Sequence, residues 1–516
     1  MAANASIVAA AFVVSKSLGM LREILIARQF GTSGNYDAYV AAFKIPDLLF
    51  LVVMSGAFGS AFIPVFGGYL SRNDQERAWR LASAVLTYTV ITLIVAAQVV
   101  FFVAGPMMRD VVAPGLPASE QVLATNLTRL LLLSPLLLGL GAAAQGMLQA
   151  HDAFTLPAIA PILYNVGIIF GAIALAPKMG VYGLVVGVLV GATAHASIQF
   201  IGLIRKGMHV RPSFSRHVDG LGEVARLMVP RLIGQTAFQI NIIVMTNFAS
   251  RLGQSRVSAM NYAYQLFMLP HGVLALSLST VIFPMMARQF EMRQFADLKR
   301  TLGRALGPLL FLTFPAGVGL FAFRLSIIQM LFQVGSFSST STDLVASALE
   351  FFAVGLVSFA VVEAVTRAFY AMHDTRTPVF AAAVSVGSNV VLSYILAPRM
   401  GHAGLALSIS VTTTVEMLIL LTVMHRRIGG FGPQLTRSVA RTVAAAAVMA
   451  VVALKFAGPL ARVTDPIHGR SITTIAAFVF TIGSVGLTYL VAAYYLRSPE
   501  LFDLMARARS RLGIAR

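Results

Sequence analysis

The chain has 516 residues, 57% hydrophobic and only 11% charged, with a mean hydropathy of +0.81, where soluble domains carry about 25% charged residues. That excludes a large soluble enzyme, a disordered chain and a secreted disulfide scaffold; with no cysteine there is also no disulfide framework, Cys-ligated zinc site, iron–sulfur cluster or thiol nucleophile. The net charge of +19, from 39 Lys and Arg against 20 Asp and Glu, has to be located before it is read, because membrane proteins concentrate basic residues in cytoplasmic loops.

A bilayer-crossing helix needs about 20 predominantly apolar residues. About fourteen such stretches follow one another, near 6–28, 37–69, 79–104, 122–149, 157–176, 181–204, 222–250, 256–287, 300–323, 344–372, 377–397, 402–424, 436–457 and 472–496. The runs are continuous rather than alternating, which indicates helices and not a barrel. The expected fold is therefore an all-α polytopic membrane protein. The first stretch is no cleaved signal peptide: it is long, lacks a basic leader and holds Lys16, Arg22 and Glu23. Pro46, Pro64, Pro135, Pro270, Pro284 and Pro315 fall inside spans, where neighbouring helices or a cavity must re-satisfy the backbone.

Orientation follows from Lys and Arg in alternate connections. The connections after even-numbered spans, with the C-terminal tail, hold 22, among them Arg72, Arg205, Arg288, Arg426 and Arg497; the other set holds 8. Both termini are thus expected in the cytoplasm. Most of the positive charge is topology and contact with anionic lipid head groups. No nucleic-acid partner is expected, since there is no basic soluble domain and no aromatic platform.

The sequence repeats itself. His151-Asp152 before Pro157 recurs as His373-Asp374 before Pro378, at an offset of 222. Ala176-Pro177-Lys178-Met179-Gly180 recurs as Ala397-Pro398-Arg399-Met400-Gly401, at 221; Phe62-Ile63-Pro64 echoes Ile282-Phe283-Pro284, at 220. Such a period covers six spans, and an even number sets both copies the same way up. The expectation is a parallel repeat of two six-helix lobes, as in several transporter classes: residues 1–215, then 216–430, with two further helices and a basic tail in 431–516. Two lobes that rock about a central cavity give alternating access.

Ionisable residues within the spans cost at least about 2.5–3.5 kcal/mol at a helix centre on insertion scales, so each needs a cavity or a partner. Lys16, Arg22 and Glu23 lie in span 1, Lys44 and Asp47 in span 2. Counted from the outer ends at about 1.5 Å per residue, Arg22 and Lys44 lie at one depth, about 10 Å in. They define a candidate cationic cavity for an anionic head group, with Arg129 in span 4 and Arg231 in span 7 as further cations and Glu23, Asp37, Ser15 and Gln265 in support. Snorkelling and structural ion pairing are the competing explanations. Glu363 and Arg367 read as an i,i+4 pair. His195 and Glu416 occupy corresponding spans at offset 221; they are either a coupling site or satisfied interior groups. Asn35 and Asp37 are expected to cap span 2. No P-loop, HExxH, GxSxG elbow or metal-spaced carboxylate cluster is present, so no catalytic residue, metal or cofactor is expected, and the membrane potential or an ion would supply the energy.

Beyond composition, particular residues carry a resemblance: Ser15-x-x-Leu18-Gly19-x-x-Arg22-Glu23, Ala27-Arg28-Gln29-Phe30-Gly31, Asp37-Ala38-Tyr39, Ala42-Phe43-Lys44-Ile45-Pro46-Asp47-Leu48-Leu49, Gly56 to Pro64, Pro157 to Tyr164-Asn165, Pro270-His271-Gly272-Val273-Leu274 with Pro284, and Phe369-Tyr370-Ala371 leading to Pro378. Over nearly its whole length the chain resembles the MurJ (MviN) family of lipid II flippases, in the multidrug/oligosaccharidyl-lipid/polysaccharide exporter superfamily. The resemblance implies a carrier of undecaprenyl-pyrophosphate-linked disaccharide-pentapeptide from the inner to the outer leaflet of the bacterial cytoplasmic membrane; the sequence does not fix the oligomeric state, and a monomer is the expected working unit. It also implies a cationic cavity, a lateral gate and a groove for the prenyl tail formed by the last two helices. Family cavity cations match Arg22 and Lys44; Lys16 stands where arginine is common, which keeps the charge and loses the bidentate fork. Phe50 and Leu51 replace further arginines, and Tyr264 and Gln265 replace an Asp-Arg pair. Some members have a sodium site with carboxylate ligands; here Asn389 and Ser393 bring no acid, and the site is not carried over.

Three other functions compete: a flippase for another polyprenyl-linked oligosaccharide, which the missing cations favour; a cation-coupled multidrug exporter, which usually has twelve helices and a cleft carboxylate; and a membrane-embedded glycolipid transferase, for which His151-Asp152 and His373-Asp374 are the candidates.

Overall fold

The structure is a computed structural model and describes residues 2–54, 62–215, 217–466 and 471–511. Its described residues are helical, with no strand. In order these are α1 (Ala2–Phe30), α2 (Gly34–Ala42), α3 (Lys44–Met54), α4 (Ile63–Ser71), α5 (Gln75–Pro106), α6 (Ala118–Leu131), α7 (Leu133–Ala150), α8 (Thr155–Phe170), α9 (Ala176–Met179), α10 (Val181–Arg205) and α11 (Leu221–Ser250). There follow α12 (Arg256–His271), α13 (Ser277–Glu291), α14 (Phe295–Ala322), α15 (Arg324–Leu331), α16 (Ser339–Ala371), α17 (Arg376–Met400), α18 (His402–Ile428), α19 (Pro433–Val463), α20 (Ile472–Tyr495) and α21 (Pro499–Arg511). Short π-helical segments run over Met107–Val112, Gly171–Leu175 and Gly272–Leu276.

Ten helical stretches among the described residues are long and apolar enough to cross a membrane. The expected spans outside that set are the first, second, seventh and eighth, the first two of each repeat. The second is interrupted at Phe43, between α2 and α3, and the eighth runs as α12, a π segment and α13. Proline is the local cause. Pro46 has no N–H to give the carbonyl four residues back, and that carbonyl, on Ala42, instead accepts the Thr128 hydroxyl of α6 at 3.2 Å. The same solution recurs at Pro315, whose freed acceptor on Phe311 takes the Tyr489 hydroxyl of α20 at 2.7 Å.

The repeat is visible in the turns. Gly180 (φ 58°, ψ −141°) and Gly401 (φ 61°, ψ −145°) share one left-handed conformation at offset 221 and open α10 and α18. Asn73 (φ 59°) and Arg293 (φ 55°) match at 220, and Asp152 (φ 57°) and His373 (φ 59°) at 221. This corrects the register of the His-Asp echo: Asp152, not His151, is the counterpart of His373. The turn geometry repeats, and the shared dipeptide is displaced by one residue.

The chain divides into two compact units, Met1–Ser258 with Gly335–Phe337, and Ala259–Val334 with Ser338–Arg516. Helix α11, with which the repeat begins its second copy, belongs to the first of these and packs against α3. In the first unit, Phe62, Phe66, Trp79 and Met147 form a buried cluster on which the His151 ring rests, 5.7 Å from the Phe66 and Trp79 rings. Helix α8 and the π segment that follows it meet α10 through Gly167 and Gly171 against Gly187 and Gly191, so close that a Cβ at any of the four would enter the opposing backbone. Small residues allow this packing where lipid removes the hydrophobic drive between helices. The second unit has one core around Leu298, Leu306, Ala364 and Phe369, and another where α19 and α20 meet α14 through Phe311, Met449 and Tyr489. There Glu500, at the start of α21, is buried and accepts the Ser438 and Ser498 hydroxyls.

Candidate functional site

Helices α1, α2, α3 and α8 of the first unit bring the charged residues together. Arg22 on α1 pairs with its neighbour Glu23: Nη2 reaches Oε1 at 2.5 Å and Nε reaches the same oxygen at 3.2 Å. Its Nη1 donates to Oδ1 of Asn165 on α8 at 3.1 Å. The Asn165 Nδ2 in turn donates to the Ser15 carbonyl (3.3 Å), the Ser15 hydroxyl (3.5 Å) and the Pro161 carbonyl (3.1 Å). Ser15 and Arg22 are seven residues apart and so share a face, and one amide fixes both. The phenols of Tyr39 and Tyr164 lie within electrostatic range of Arg22, and Asp47 within range of both phenols and of Lys44. Tyr39 is itself held by ring contacts, 5.6 Å from Tyr36 and 4.9 Å from Phe43.

This arrangement leaves donors over. A guanidinium has five N–H groups and an ammonium three. Three of those on Arg22 are engaged, so one on each Nη remains. Lys44 makes no hydrogen bond or ion pair among the described residues, with Asp47 the charge it senses. Arg22 can therefore receive acceptor oxygens at two N–H groups, and Lys44 at its ammonium. Phosphate or pyrophosphate has that chemistry. Glu23 holds Arg22 in place while its other oxygen, Oε2, is buried without a hydrogen-bond partner.

The remaining expected residues go elsewhere. Lys16 is exposed, its ammonium 5.6 Å from the Phe12 ring centre. Arg129 lies over the Phe101 ring at 5.1 Å and donates to the Phe101 carbonyl at 3.2 Å, beside the outward-facing Phe102. Arg231 lies in α11 with its side chain outside the described residues. Gln265 is half-buried on α12, in the second unit. Asp37 does not cap its own helix, whose N-cap is Ser33. Fully buried, it accepts the backbone N–H groups of Ser255 (2.6 Å) and Ser258 (2.7 Å) and so closes the start of α12. Glu363 and Arg367 pair at 2.7 Å as their spacing predicts. Gln199 lies against the His195 ring, and Ser385 donates to Glu416. Sequence reasoning did not assign Asn165, Tyr39 or Tyr164 to the site. Each stands inside a stretch noted for its resemblance, and that was the available signal.

An all-helical membrane protein of two compact units, with an anion-receptive cluster on its first helices, has the organisation of a membrane transporter. Comparison with known proteins gives the family. The model described as "Lipid II flippase MurJ" matches residues 26–461. Lipid II flippase MurJ of Burkholderia cenocepacia is 32% identical over 426 residues, 80% of this chain and 82% of the relative. A probable lipid II flippase MurJ of Rhizobium meliloti is 30% identical over 451 residues, covering 84% and 83%. Among solved structures, lipid II flippase MurJ in an inward closed conformation matches with a TM-score of 0.77 at 24% identity, covering 96% of this chain and 99% of that one. An inward-facing multidrug resistance MATE family transporter of the MOP superfamily matches with a TM-score of 0.69 at 15% identity, covering 81% and 95%. The chain belongs to the MurJ family.

Proposed function

We propose that this protein is a lipid II flippase that carries the undecaprenyl-pyrophosphate-linked disaccharide-pentapeptide from the inner to the outer leaflet of the bacterial cytoplasmic membrane by alternating access. Its family membership supports the substrate. The observation that carries the site is the pair of free donors on Arg22, which Glu23 and Asn165 hold in place, together with the free ammonium of Lys44. In this reading the pyrophosphate bridges the outer edge of the Arg22 fork and the Lys44 ammonium. Lys16 and Arg231 add charge along the route, and the prenyl tail runs along α19 and α20. Both termini lie in the cytoplasm, and one copy suffices. The membrane potential, worth about 2.3 kcal/mol per charge at 100 mV, resets the cationic site after release. No catalytic group takes part, since the substrate leaves chemically unchanged.

The test is leaflet-resolved accessibility of lipid II in cells depleted of their own flippase. Expression of this chain restores externally accessible lipid II, and the Arg22→Ala variant, inserted at equal level, does not. Normal growth on that allele as the sole copy contradicts the assignment of the site. Phe50, Leu51, Tyr264 and Gln265, which stand where related chains carry charge, favour a second reading, a different polyprenyl-linked glycan. Failure of the wild-type chain to restore lipid II, with transport of another such lipid, selects it.

A further inference from the structure

Helix α12 ends on Pro270-His271, and the chain continues directly into the π-helical segment Gly272–Leu276 before α13. The imidazole at this break is 6% exposed. It stacks on Phe267, with ring centres 6.2 Å apart and planes at 18°, and meets the edge of Phe359 of α16 at 6.2 Å. The Phe359 carbonyl stands as acceptor to the ring, while Nδ1 is buried with no hydrogen-bond partner. A neutral imidazole with one nitrogen donating has the other as an open acceptor. Leaving such an atom buried and unsatisfied costs about 1–3 kcal/mol.

The surroundings supply a countercharge. Glu363, one turn along α16 from Phe359, lies within electrostatic reach of the ring. Glu363 is itself shared with Arg367 at 2.7 Å. Helix α14, which also packs on the π segment, carries Asp297, Lys299, Arg300 and Arg304 within its first ten residues. On α12 itself the nearest titratable neighbour is Tyr264, two turns back. A π segment inside a helix is a frequent mark of a functional site, and here it adjoins a titratable side chain that nothing in lipid carriage employs.

We propose that His271 is a proton-binding site that controls the break between α12 and α13. A proton from water adds to Nδ1, the ring becomes an imidazolium, and Glu363 divides its charge between that ring and Arg367. The ring is drawn toward α16, and the π segment that follows it rearranges. The ligand is the proton alone, and the site operates whichever lipid the protein carries.

The natural absence of cysteine allows a direct test without a transport assay. Val273, 54% exposed and two residues past His271, is replaced by cysteine and given a nitroxide. The full chain is placed in vesicles of phosphatidylethanolamine and phosphatidylglycerol, and spectra are recorded from pH 5.5 to 8.5. The expected result is a one-proton transition in label mobility that His271→Gln abolishes. In Glu363→Gln the transition persists, with its midpoint moved toward acid by about one pH unit as the countercharge is lost. A flat series in the parent protein, or an unchanged transition in His271→Gln, overturns the proposal. Where His271→Gln does not yield folded protein, the Glu363→Gln series decides, and an unmoved midpoint overturns it.

Discussion

Nη1 of Arg22 donates to Oδ1 of Asn165 across 3.1 Å, and the same side-chain amide reaches Ser15 seven residues earlier on α1. One residue of α8 thus sets both the position of the first helix and the direction in which its cation points. Asn165→Leu removes all four hydrogen bonds of this side chain and leaves an Arg22 donor unpaired, at a cost of about 1–3 kcal/mol. The expected phenotype is loss of lipid export with the chain still inserted. Full export by this variant contradicts the positioning role.

Arg22→Ala alone strands Glu23, which is buried and has one oxygen already unpartnered. Breaking a buried pair from one side costs about 3–5 kcal/mol. Arg22→Ala/Glu23→Ala removes both charges and should melt closer to the parent protein than the single variant does. Export should stay absent in both. Recovery of export in the double variant would show that Arg22 serves packing and not substrate.

Tyr489→Phe isolates the solution to a helix proline. It deletes the hydroxyl that satisfies the Phe311 carbonyl freed by Pro315, and a buried acceptor left alone costs about 1–3 kcal/mol. Thermal unfolding in detergent should move down accordingly, whereas Tyr494→Phe, on an exposed ring, should leave it in place. Equal melting of the two variants removes the argument.

Gly191→Ala places a methyl group against the Tyr164 carbonyl, next to Asn165. Overpacking typically costs about 1–3 kcal/mol. Here the displaced backbone also bears the amide that holds Arg22. Export should therefore fall further in Gly191→Ala than in Gly303→Ala, where an added Cβ meets nothing. Equal export from the two contradicts the coupling between helix packing and site.

Asp374 lies in the turn between α16 and α17. Partial burial by itself raises its carboxyl, but the Thr377 hydroxyl (2.6 Å) and amide (3.0 Å), the Arg427 charge and the Arg376 amide outweigh it and hold the group below the usual carboxylate range. A carboxyl lowered on folding contributes stability above its unfolded value, about 3.9, and loses it as pH falls through the folded value. The melting difference between the parent protein and Asp374→Asn should be full near neutrality and close below about pH 4. A difference that grows in acid has the wrong sign for this account.

Much of the architecture was legible because hydropathy and proline report the membrane directly. Long uncharged stretches became the ten apolar helices, and the recurring Pro–Gly turn at 177–180 and 398–401 foretold paired turns of one geometry. The breaks in the second and eighth spans were readable only as prolines inside apolar runs. Which partner would satisfy each freed carbonyl depends on contacts such as Thr128 to Ala42, remote in sequence. At the site, rise per residue sets the expectation of Arg22 and Lys44 at one depth, while the partners that hold Arg22, Glu23 beside it and Asn165 on α8, come from contacts that spacing does not give. Helix rotation, which a depth count does not fix, sets Lys16 near the Phe12 ring and Arg129 over the Phe101 ring. Asp37 resembled a cap of its own helix by spacing, and instead serves a helix start over 200 positions away.

The paired turns carry a last implication. At offsets of 220 to 222 the counterparts of Arg22 are Ile242, Ile243 and Val244, and those of Lys44 are Tyr264, Gln265 and Leu266, none of them cationic. Ancestral symmetry has persisted in the skeleton and vanished from the chemistry. In this chain the two frames keep matching turns, and the cations proposed to receive an anion, Arg22 and Lys44, stand in the earlier one without a cationic counterpart in the later.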